Sequence, residues 1–217
     1  LPVGRVQAVP LSIDLDPHVG KPGERVGHPF TIGYFARLAP EKGLHHLIDA
    51  FEHLKGKHPE IQLRIGGYEP GQHRSYIRTQ KNRLAKFGSD VQFVGSPDLI
   101  DEKVAFYRSV DVLSVPTDFE EAKGLSILEA WANGVPVVQP AAGAFPELVG
   151  HHGEGGLLVP HRDARELADA WSRLYQDQGE RLRLAESGHQ KVRDRHSHAA
   201  AAKEALRVLQ GISQRAR

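Results

Sequence analysis

The sequence predicts an α/β domain: a doubly wound, mostly parallel Rossmann-like sheet with helices on both faces. Three observations point there. Short runs rich in Val, Ile and Leu are apolar throughout rather than alternating, as in strands buried on both faces. Longer segments between them carry apolar residues at helical spacing. The two kinds alternate along the chain, which is the order of a parallel sheet built from βαβ units. Right-handed crossovers then place helices on each side.

The elements follow in order. "FTIGYF" (30–35) reads as the first strand. Leu44, Leu47, Ile48, Phe51 and Leu54 then form one face of a helix. "IQLRIGG" (61–67) and "VQFVG" (91–95) are the next strands, and "DEKVAFYRSV" the helix after them. "DVLSVP" (111–116) leads to a mostly apolar helix starting near Gly124. "VPVVQP" (135–140) and "GLLVP" (156–160) complete the strands, and "DARELADAWSRLYQD" is the helix that follows. From about 179 to 217 the pattern is helical and polar, ending in "HSHAAAAKEALRVLQ".

Composition excludes some classes. A net charge of +1 makes no case for nucleic acid or an acidic membrane. The chain has no cysteine, so it forms no disulfide, which fits a reducing compartment. No apolar run approaches the roughly 18 residues that span a bilayer.

In such sheets ligands sit beyond the carboxyl ends of the strands. After the first strand come Arg37 and Lys42, with Gly43 beside them. Two readings stand: a pair of cations for two phosphates, or solvated surface charges with Glu41 as partner. After "DVLSVP" come Glu121, Lys123 and Gly124, then Leu125 and Ser126. A helix starting there offers free N–H groups and positive potential to a diphosphate, and Gly124 allows close approach. Glu129 stands eight residues after Glu121. On an ideal helix that is ~12 Å along the axis, too far for the carboxyl pair of a glycosidase. The pair suits two ends of one long ligand; the alternative is a helix-start charge and a core carboxylate.

Four stretches, in order, carry a family resemblance: "ARLAPEKG", "EAKGLSILEAWANGVPVV", "GAFPELV" and "EGGLLVPHRDARELADAW". They resemble the C-terminal, nucleotide-sugar-binding domain of a retaining glycosyltransferase of the GT-B fold, in group 1 or family 4. "VPLSIDLD" is similar to the family's interdomain stretch.

The resemblance implies that residues 1–29 lead in from an N-terminal domain before Leu1 and that 30–178 bind the donor. Residues 179–217 then pack toward that other domain. It implies diphosphate contacts from Arg37 and Lys42, the donor sugar near Glu121 and ribose hydroxyls on Glu129. Backbone of Gly124, Leu125 and Ser126 meets sugar and phosphate. The base lies by Phe93, Val94, Gly95 and Ser96, with Gly66 nearby. Arg37, Lys42 and Glu121 take the catalytic roles, with no cofactor and no metal.

The partners implied are a nucleotide-sugar donor, an unknown acceptor and the N-terminal domain, without nucleic acid. The location implied is cytoplasmic, with a membrane surface reached only through the full-length protein. The sequence departs from the family pattern at Ala36, Lys123, Ala144 and "GGYEP". Lys123 reads as an anion contact or a solvent-facing cation.

Asp14-Leu15-Asp16 spells D-x-D by chance. His45–His46, His151–His152 and His196/His198 have no spaced Cys or carboxylate set to complete a metal site. The alanine-rich last helix suits interdomain packing or a membrane surface. Two other classes remain: a GT-B-fold nucleotide-sugar epimerase, and a non-catalytic α/β interaction module. The E-x7-E frame with "EKG" argues against the epimerase. Arg37 stands where a receiver module would carry an acidic cluster.

Overall fold

The structure, a computed structural model, describes residues 8–215 except Val26, Asp98, His151 and His152. The His151–His152 pair therefore lies outside the described residues.

Six strands form one parallel sheet: β1 (Thr31–Phe35), β2 (Gln62–Gly66), β3 (Val91–Gly95), β4 (Val112–Leu113), β5 (Val137–Pro140) and β6 (Gly156–Val159). Their order is β3-β2-β1-β4-β5-β6, the doubly wound arrangement expected. The order reverses between β1 and β4. A crevice opens at such a switch point, so the loops after β1 and β4 are where a ligand would sit.

Helices cover both faces. α1 (Leu44–Lys57), α2 (Arg74–Leu84) and α6 (Ala164–Gln176) share a core with β1 and β2. Leu44, Leu47, Ile48, Phe51 and Leu54 are all fully buried there, as the helical spacing requires. Each such side chain contributes roughly 1.5–3 kcal/mol of transfer free energy. α3 (Ile100–Tyr107), α4 (Leu125–Ala132) and α5 (Phe145–Val149) pack on the other face.

α7 (Gln178–His196) reaches both cores, through Leu184 and Val192, and α8 (His198–Arg215) follows it. The lead-in segment is tied down too. The Ile13 N–H donates to the His196 carbonyl (2.9 Å), and Arg25 pairs with Asp111 (3.0 Å).

Strand β4 is shorter than its apolar run. The Val115 N–H donates to the Gln139 side-chain oxygen (3.0 Å), and Ser114 Oγ accepts from Trp171 Nε1 (2.9 Å). The Ser114 N–H still donates to the Gly33 carbonyl of β1 (2.9 Å), so a side chain takes the ladder partner's place only at Val115. The chain peels away from the sheet there and becomes the loop that carries Asp118 and Glu121.

Candidate functional site

β1 delivers Arg37, then a 3-10 turn (Pro40–Lys42), then Gly43 in the left-handed region (φ 70°). A Cβ on Gly43 would lie 1.7 Å from the Pro116 carbonyl oxygen. The glycine of "EKG" therefore lets the loop after β1 press on the loop after β4. That contact brings Lys42 Nζ to Glu121 Oε2 at 2.6 Å, although 79 residues separate them. Both side chains are mostly buried. Lys42 also sits 4.9 Å from the centre of the Phe119 ring.

Glu121 lies ahead of α4, not within it. α4 starts at Leu125, capped by Gly124 at φ 66°. The ideal-helix rise thus does not set its separation from Glu129, which corrects the ~12 Å expectation. Residues of "GAFPELV" hold Glu121 in place. The Ala144 N–H donates to the Glu121 carbonyl (2.7 Å), and a Cβ on Gly143 would come within 2.5 Å of the Glu121 backbone. The first-turn N–H groups of Leu125 and Ser126 have no carbonyl within the helix to bond. A Cβ on Gly124 would meet a Leu148 methyl at 2.5 Å, so this glycine answers to packing as well as to its φ.

Burial pushes the Glu121 carboxyl up, but Lys42 and the N–H groups of Lys123 and Gly124 outweigh it and hold it below its ordinary value of 4.5. The sign follows from linkage. The stability this carboxylate contributes is present above pH 4.5 and is lost as pH falls through the lower folded value. A carboxyl titration followed by NMR should place Glu121 below 4.5 in the native chain and higher in Lys42→Ala. An equal midpoint in both would remove Lys42 as the cause.

Glu129 has different partners. It accepts from Lys103 Nζ (2.5 Å) and from the Tyr107 hydroxyl (2.6 Å), both on α3. Sequence reasoning missed both. Their spacing in "DEKVAFY" puts Lys103 and Tyr107 on one helix face, but nothing along the chain aims that face at Glu129. Arg37, the more exposed cation, pairs with Glu41 at 2.6 Å. Each cation at the switch point is thus matched by a carboxylate: Arg37 with Glu41, Lys42 with Glu121, Lys103 with Glu129.

A cleft of about 410 Å³ opens among Arg37, Gly67, Tyr68, Ser96, Ile100 and Lys103. Ser96 lines this cleft. Phe93, Val94 and Gly66 do not line this cleft. Phe93 packs toward the first core, with Lys81 over its ring at 5.1 Å. Val94 borders another groove with Arg64 and Glu102. Gly66 lies against the Phe35 ring, and Gly67 takes the cleft position instead. The Gly95 carbonyl accepts from the Gly67 N–H (2.8 Å), joining the two strand ends.

Lys123 is exposed and borders a different groove, with Glu147, Lys191 and Arg195. A groove of about 870 Å³ beside α8 shares no residue with the switch point. In the D-x-D stretch the Asp14 carboxylate accepts the Asp16 N–H (3.1 Å), a local turn. His45 and His46, left without a carboxylate by the sequence, meet Asp118 at 3.1 and 2.8 Å. The fold supplies what local spacing did not.

The fold is a Rossmann-like domain with a crevice at the carboxyl end of its sheet. The family model described as glycosyl transferases group 1 matches residues 21–191, and the chain belongs to that family. It is 34% identical over 172 residues to D-inositol 3-phosphate glycosyltransferase of Corynebacterium efficiens, covering 77% of this chain and 39% of that protein. It is 34% identical over 157 residues to the lipopolysaccharide core biosynthesis mannosyltransferase LpsB of Rhizobium meliloti, covering 71% and 43%. The chain thus spans less than half of these relatives.

Among solved structures, the C-terminal domain of the group 1 glycosyl transferase LpcC of Francisella tularensis superimposes with a TM-score of 0.75 at 23% identity, covering 86% of this chain and all of that one. HepE of Anabaena, in complex with UDP and glucose, gives 0.80 at 24% identity, covering 94% and 56%. The fold is that of the C-terminal GT-B domain. Among the described residues, no helix is long and apolar enough to cross a membrane.

Proposed function

We propose that this chain is the donor-binding half of a retaining glycosyltransferase that moves a sugar from a nucleotide-diphosphate donor to an acceptor. The observation that carries the reading is the Lys42–Glu121 pair at the β1/β4 switch point, beside the start of α4. When the sugar leaves, negative charge builds on the diphosphate. Arg37, Lys42 and the N–H groups of Leu125 and Ser126 would stabilise that charge without a metal.

In this reading Glu121 faces the sugar and Glu129 accepts from ribose hydroxyls. Lys103 and Tyr107 keep Glu129 oriented while leaving lone pairs free. Ser96 and the cleft beside it take the base. Residues 1–29 and the helices from 179 onward face a separate N-terminal domain that supplies the acceptor site. The chain by itself then binds donor weakly and turns over nothing.

The test is calorimetric titration with UDP, GDP, ADP and their sugars, with Arg37→Ala as control. Binding that prefers one base and is lost in the variant supports the reading. Binding that Arg37→Ala leaves intact would refute the phosphate assignment. Glu129→Ala should cost a ribonucleotide about 10- to 100-fold, the value of a hydrogen bond to a charged group, and a 2′,3′-dideoxy analogue much less. Equal losses would remove Glu129 from the ribose.

A further inference from the structure

We propose that His45, His46 and Asp118 form a binding site for a divalent transition-metal ion of the zinc class, beside the switch point and sharing none of the residues assigned to the donor. The three come from two elements. His45 and His46 stand in the first turn of α1, and Asp118 on the loop after β4. Their ligand atoms all lie within 4.8 Å of one another. His46 Nε2 is 2.8 Å from Asp118 Oδ1, and His45 Nε2 is 3.1 Å from Asp118 Oδ2. Zinc bonds of about 2.0–2.1 Å at tetrahedral angles put ligand atoms about 3.3 Å apart, so small side-chain movements would seat an ion.

Two imidazoles and one carboxylate suit zinc, copper or nickel, and not magnesium or calcium, which take oxygen ligands. Three protein ligands leave a position for water, and all three side chains are partly open to solvent.

The surroundings show which atoms would ligate. The Tyr76 hydroxyl lies 3.0 Å from His45 Nδ1 and also accepts the His45 N–H (3.2 Å). Such a partner on one ring nitrogen sets the ring's orientation and leaves the other nitrogen for the ion. His45 Nε2 is the atom facing Asp118.

Two features oppose a cation. One is the positive end of α1. The other is Arg162, whose Nε donates to Asp118 Oδ1 (2.8 Å) from a backbone at φ 62°. Arg162 is mostly exposed and also donates from Nη2 to the Asp118 carbonyl (3.0 Å), so seating an ion requires its Nε to give up Oδ1. Asp118 is the sole anionic ligand, so its loss should be felt most. A bound ion would tie the first turn of α1 to the loop that carries Glu121.

The experiment uses the whole chain, stripped with chelator and titrated with Zn²⁺ alone by competition against a chromophoric chelator. Co²⁺ serves as the spectroscopic probe. The expected result is one tight equivalent, with the visible bands of four- or five-coordinate Co²⁺. Asp118→Ala and His46→Ala should each weaken binding at least tenfold, while His53→Ala should leave it unchanged. Arg162→Ala should tighten binding severalfold and Tyr76→Phe should loosen it; these two test the site even if a ligand variant fails to fold. Zinc affinity that is the same in Asp118→Ala and His46→Ala as in the parent chain overturns the proposal. So does a Co²⁺ spectrum of octahedral type, or no shift in either direction with Arg162→Ala and Tyr76→Phe.

Discussion

Lys42→Ala is expected to lower the affinity for a nucleoside diphosphate by about 10- to 100-fold. A hydrogen bond to a charged group is worth ~1.5–3 kcal/mol, and each 1.4 kcal/mol is about tenfold. A second effect acts in the same direction. Without Lys42, the mostly buried Glu121 loses its cation and stands as an uncompensated carboxylate beside the place proposed for the phosphates. Lys42→Arg should not restore full affinity. The ammonium fits as a point charge against Glu121 and 4.9 Å from the Phe119 ring, and a planar fork changes that geometry. Calorimetry with UDP, GDP and ADP gives the answer, with a melting curve to show that the variant is folded. An unchanged affinity in a folded Lys42→Ala would take Lys42 out of the ligand site.

Gly43→Ala is expected to be among the most damaging single-methyl additions to this chain. Its Cβ would lie 1.7 Å from the Pro116 carbonyl oxygen, which is backbone and cannot rotate aside. The left-handed backbone at φ 70° adds strain. Left-handed strain of ~1–2 kcal/mol and overpacking of ~1–3 kcal/mol together predict a loss of about 3 kcal/mol or more. At roughly 2–4 °C per kcal/mol for a chain of this size, the melting temperature should fall by about 10 °C. Gly56→Ala is the matched control. Gly56 sits in the last turn of α1, and a methyl there would meet nothing within 4 Å, so alanine should stabilise by about 0.5–1 kcal/mol. Equal behaviour of the two variants would show that the loop contact at Pro116 does not hold the site together. Gly43→Ala should also lose ligand affinity, because the same contact brings Lys42 to Glu121.

The candidate site was legible wherever its signal was local. "EKG" and E-x7-E mark Lys42, Glu121 and Glu129, and the start of α4 at Gly124 follows from the apolar run after it. Pairings across the chain were not legible. The family resemblance implies a phosphate contact for Lys42 and a sugar contact for Glu121, with no sign that they touch. Lys103 lies 26 residues from Glu129, and nothing local joins them. Family position puts backbone around Phe93 to Ser96 near the base, while the side chains of Phe93 and Val94 pack toward the first core and a neighbouring groove, which the sequence did not show. His45 and His46 lack a carboxylate in the sequence because Asp118 is more than 70 residues away.

By itself the sequence determined the class of the domain: six strands in a parallel, doubly wound order and most of the helices between them, though α2 and α5 went unread and β3 buries none of its residues. Apolar periodicity reports which face of each element leaves water, and that is a local property. Only the tertiary structure decided which charges meet. Ion pairs form between loops brought together by packing, as Gly43 on Pro116 brings Lys42 to Glu121, and no spacing along the chain encodes that approach. The same holds for the Gln139 side chain, which meets the Val115 N–H where β4 gives way to the loop of Asp118 and Glu121. Burial made the fold readable; the convergence of distant loops made the site.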